Sequence, residues 1–151
     1  MRKRFALVVT TLVLAGCGSG SSAVDYTDSS VVDYTEFCGL AQKMNAVSGT
    51  HGEDPAAITD PKVMADTWAK VTAAAKELRD NAPEVVKNDV TLMVSTILDM
   101  DAIFQKNKYD LVAMSKDEKT RKAVDAVSSR DGVADASKRF NTFMEKNCGA
   151  S

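Results

Sequence analysis

Apolar residues recur along most of this chain at intervals of three and four, the spacing that lines one face of an α-helix. Phe37, Leu40, Ala41, Met44 and Val47 keep that spacing behind Asp33-Tyr34-Thr35-Glu36, an acidic cap residue with Glu three positions on, and predict a helix over residues 34–47. Met64, Trp68, Val71, Ala75 and Leu78 form a second seam between residues 61 and 81, opened by a cap residue and proline at Asp60-Pro61. Ala82-Pro83 breaks that helix. A third seam then follows through Val86, Val90, Met93, Ile97, Met100 and Phe104, to about residue 106. Ser115 and Glu118 repeat the capping-box pattern before a less apolar helix through Ala123, Val124 and Val127, ending near Ser129. After Asp131-Gly132, the residues Val133, Ala136, Phe140, Phe143 and Met144 line a last helix, which Asn147-Cys148-Gly149 stops. A short helical turn over residues 56–58 is also expected, behind Asp54-Pro55. No segment alternates with the period of two that a strand needs. The pattern predicts an all-α fold, a small antiparallel helical bundle of four to five helices.

The start of the chain obeys a different rule. Met1-Arg2-Lys3-Arg4 is positive, and residues 5–15 are weakly polar to apolar without interruption. Eleven residues make roughly 16 Å of helix against a hydrocarbon core of roughly 30 Å, so this is a secretory leader and not a membrane span. Leu14-Ala15-Gly16-Cys17 closes the run and resembles the lipobox of bacterial lipoproteins. The resemblance covers the first seventeen residues. It implies a diacylglyceryl group on the Cys17 thiol, cleavage after Gly16, and Cys17 as the acylated N-terminus. Two acyl chains anchor a protein stably where one gives only marginal residence. An ordinary cleaved signal with an incidental thiol at Cys17 is the alternative. Residues 18–33 are rich in Gly, Ser, Asp and Thr and read as a flexible tether with a mean reach of roughly 20 to 24 Å. The expected organisation is a signal peptide over 1–16, a lipidated N-terminus and tether over 17–33, and the bundle over 34–151.

Charge and cysteine usage sharpen this picture. The chain has 19 basic and 21 acidic residues, a net charge of −2. Loss of the leader removes Arg2, Lys3 and Arg4 and no acid, which leaves 16 bases against the 21 acids and a net charge of −5. No sustained basic stripe is left to suggest nucleic acid. With Cys17 assigned to lipid, Cys38 and Cys148 remain, near the two ends of the folded region. Export places them where thiols oxidise, and a bond between them would fasten the first helix to the last. Two buried free thiols are the alternative. Zinc is disfavoured by the lack of a Cys-x-x-Cys pair and by a single histidine.

That histidine, His51, stands with Glu53 and Asp54 in a glycine-containing loop, where a solvated side chain is the ordinary reading and a metal or catalytic site would need more ligands and a rigid frame. Asp99 and Asp101 are two apart on a helix, point in different directions and read as solvated charge. Lys116, Lys119, Arg121 and Lys122 are interspersed with acids and read as a solvated helix face, with contact to anionic headgroups as the lesser reading. The six methionines beyond the leader fall mostly on inner faces. They pack cores, and they also line adaptable clefts; Trp68, Met93 and Phe104 mark where a cavity for an apolar ligand or partner helix is expected.

Phe37-Cys38 in the first helix, the run from Ala82 to Val90, the terminal Asn147-Cys148-Gly149 and the lipobox together resemble small lipoproteins and secreted helical proteins of actinobacteria. The resemblance spans most of the chain. It implies an all-helical envelope protein with one disulfide, and it brings no catalytic residues, metal or cofactor. The expectation is therefore a noncatalytic domain held on the extracytoplasmic face of the cell membrane, acting through an envelope protein partner. A carrier or sensor of a small apolar ligand is the alternative.

Overall fold

The computed structural model describes residues 32–49 and 59–149. The leader, Cys17, the tether up to residue 31, His51 and the expected turn at 56–58 lie outside the described residues. Six helices are present among the described residues: α1 (Thr35–Gly49), α2 (Pro61–Asp80), α3 (Glu84–Lys106), α4 (Leu111–Lys116), α5 (Glu118–Ser128) and α6 (Val133–Asn147). The fold is the expected all-α bundle, with one short helix, α4, that periodicity did not predict.

Local chemistry sets most of the boundaries. Asp33 accepts a hydrogen bond from the Thr35 amide at 2.9 Å, so α1 begins one residue later than expected. The Asp60 carboxylate accepts from the Lys62 amide at 2.8 Å, with Pro61 in the first turn, where its missing N–H leaves no helical bond unmade. The capping box expected at Ser115 is absent. Asp110 caps α4 by accepting from the Ala113 amide at 2.8 Å, so Ser115 is already inside a helix and its hydroxyl donates back to the Val112 carbonyl. Asp117 is the cap of α5 instead, accepting from the Thr120 amide at 2.9 Å. Gly132 precedes α6 at φ +81°, a left-handed conformation that costs glycine nothing.

Four helices form an antiparallel ring. α1 packs on α2, α2 on α3 and α3 on α6, around a core of Phe37, Ala41, Ala75, Leu78, Val86, Val90, Val94, Phe143 and Met144. The seam between α6 and α1 closes the ring differently, through side chains at one end. Tyr34 meets Phe143 edge-on with ring centroids 4.9 Å apart, Phe37 meets Phe140 and Phe143 in the same manner, and Cys38 is bonded to Cys148 with their Cα atoms 5.4 Å apart.

Helix length explains the rest. α2 and α3 have 20 and 23 residues, whereas α1 and α6 have 15 each. At 1.5 Å per residue the long pair overreaches the short pair by roughly 8 to 12 Å, about two turns that need separate cover. α4 and α5 supply it: α5 packs on α3, and Met114 of α4 is buried. Trp68 lies edge-on to Phe104 at 4.7 Å in this outer layer.

Candidate functional site

The clearest concave feature of the ring lies between α1, α2, α3 and α6. Its volume is about 150 Å³, and the small side chains of Ala41 on α1 and Ala75 on α2 are part of its lining. Leu78, Val90 and Val94, all buried, form the floor with Ala75; Met44, Met93, Ile97 and Phe140 form the walls. Asn45 and Ser48 are exposed and stand at the mouth, on the α1 side of the seam that the disulfide and aromatic rings close only at its other end. Among the described residues lining this cleft, none is charged.

A second, wider groove of about 320 Å³ lies where α4 and α5 meet the end of α3. Phe104, Leu111, Met114 and Val124 make it apolar, and Arg121 and Asp125 add charge. Nearby, Val112 leaves 49 % of its surface in solvent.

The three residues expected to mark one cavity are not brought together in either of these two concavities. Trp68 and Phe104 touch, but Met93 stands eleven residues before Phe104 on α3, roughly 16 Å along the axis. Met93 lines the inner cleft, Phe104 the outer groove, and Trp68 neither. The outer ends of α2 and α3 belong to a different layer, the one that α4 and α5 cover. Ala41 and Ala75, which help to line the inner cleft, carried only a weak signal as small residues on an inner face.

Asp101 is not solvated, contrary to expectation. It is buried, accepting from the Tyr109 hydroxyl on Oδ1 and from Gln105 Nε2 on Oδ2, each at 2.8 Å. Burial, followed by the bond to Asp101, pushes the Tyr109 phenol above its usual range, which keeps it protonated as the donor this pair needs. The arrangement pins the turn after α3. Asp99 points elsewhere and pairs with Arg130 at the exposed surface, so the two carboxylates do not converge. Lys122 pairs with Glu118 at 2.7 Å, Arg121 donates to the Ser115 carbonyl, and Lys116 and Lys119 are exposed, as a solvated face requires.

Among the described residues no group of three His, Cys, Asp or Glu side chains is placed to hold a metal ion, and no helix is long and apolar enough to cross a membrane. No protein-family model, curated protein or solved structure matches this chain.

Proposed function

We propose that this chain is a lipid-anchored extracytoplasmic envelope protein whose helical domain acts by noncatalytic binding of a protein partner. The observation that supports the compartment is the bond between Cys38 and Cys148, because such bonds persist where thiols are oxidised, the destination expected of a chain whose leader stops just before Cys17. Asp99 and Asp101 have separate partners, which is compatible with their not acting together as an acid–base pair. The outer groove, with apolar Phe104, Leu111, Met114 and Val124 and the charged Arg121 and Asp125 in its lining, suits a side chain presented by another protein.

The test uses cells expressing the full chain. Metabolic labelling with a clickable fatty acid should mark the wild type, and detergent-phase partitioning should carry it with the lipids. Cys17→Ser should abolish both behaviours. A variant that keeps its label and its partitioning would overturn the anchor.

A second reading is favoured by the uncharged inner cleft: the domain carries or senses a small apolar ligand. Native mass spectrometry separates the two, since a retained small molecule favours the carrier and a captured polypeptide the interaction module.

A further inference from the structure

We infer that the cleft between α1, α2, α3 and α6 is a binding site for one neutral apolar molecule the size of a single aromatic ring, entering past Asn45 and Ser48. This inference rests on the ligand-carrier reading and narrows it to one site and one ligand class. Three properties of the cleft carry it.

The first is size. At about 150 Å³ it lies below the roughly 300 Å³ at which drug-sized ligands begin and matches apolar cavities that stay dry and admit benzene. A long acyl chain does not fit. The second is charge. No described lining residue is charged, so a carboxylate or ammonium brought inside would lose its hydration without gaining a charged partner among the described residues. Met44 and Met93 give walls that adapt to ring shape. The third is access. α1 and α6 are joined at the Cys38–Cys148 end by covalent and aromatic contacts, while the opposite half of the seam has the exposed Asn45 and Ser48 at its edge. Those two side chains can meet one hydrogen-bonding substituent of the ligand at the mouth, which makes a phenol-like molecule as acceptable as a hydrocarbon.

Methionine methyl groups make the site directly readable. Met44 and Met93 line this cleft and Met114 lines the outer groove, so methyl NMR locates a bound probe. Toluene, phenol and benzoate are titrated into the complete mature chain with its disulfide intact and Cys17→Ser in place, so that no lipid or detergent competes. Toluene and phenol should shift the Met44 and Met93 methyls saturably, with a Kd on the order of 1 mM or tighter, and leave Met114 unmoved. Benzoate should bind at least tenfold more weakly. Ala41→Val, which narrows the cleft, should weaken toluene at least fivefold; should that variant misfold, the wild-type shift map decides alone. Saturable shifts at Met114 without shifts at Met44 and Met93 would overturn this site while sparing the carrier reading. Saturation at none of the methionines would overturn both, and benzoate binding as tightly as toluene would overturn the neutral class.

Discussion

Lys108 occupies the position where helices most often end in glycine. Its own amide donates to the Gln105 carbonyl at 2.9 Å, and the next amide, of Tyr109, donates to the Phe104 carbonyl at 2.8 Å, the two bonds of a Schellman turn closing α3. Both residues are left-handed, Lys108 at φ 54° and Tyr109 at φ 58°, which side chains with a Cβ adopt at a cost. Tyr109 has a reason to be there, since its hydroxyl reaches buried Asp101; the Lys108 side chain is exposed. Lys108→Gly should therefore stabilise the protein by roughly 0.5 to 1 kcal/mol, read as a higher urea midpoint. A lower midpoint would show that the left-handed turn is not strained. With no glycine to announce the turn, residues 107–110 carried no readable signal. The burial of Asp101 was hidden with them, because its partner arrives only through that turn.

At the scale of helices, four of the five predicted segments that fall on described residues closely match the observed ones, because periodicity and caps act over many residues at once. α4 escaped, since six residues are too few to display a period, and its absence moved the expected cap of α5 from Asp117 to Ser115. The buried stripe of α3 also differs: Val94 and Asp101 are buried where Met93 and Met100 were expected, because α3 is covered by α2, α5 and α6 and has no single inner face. Its contact with α6 is fastened by Arg139, which grips both oxygens of Asp89 with Nε at 3.1 and 3.0 Å and places Nη2 2.6 Å from Oδ1. That bond holds the Asp89 carboxyl below its ordinary range. A lowered native pKa stabilises the fold above the unfolded value, about 3.9, and the contribution fades as pH falls through the native one. Arg139→Leu should accordingly show a modestly lower urea midpoint at pH 7, with the gap to wild type closing in strong acid. A gap independent of pH would assign the effect to packing of the arginine stem.

For the molecule as a whole, the decisive bond joins residues 110 apart in sequence. Chain-entropy reasoning puts the loss on removing it, in Cys38→Ala with Cys148→Ala, at about 4 to 5 kcal/mol, enough to consume much of a small domain's stability. Urea unfolding of the double variant checks this, and a loss under about 1 kcal/mol would mean the open chain gains little freedom. The pairing was legible once export was inferred from the leader. The inner cleft was not, since its lining comes from four separate helices whose relative placement no local pattern encodes. The position of the sulfur bridge has a mechanical corollary. Tension applied between a point before Cys38 and a point after Cys148 passes straight across two sulfur atoms, so a tug on the chain's ends cannot unspool the helices between them.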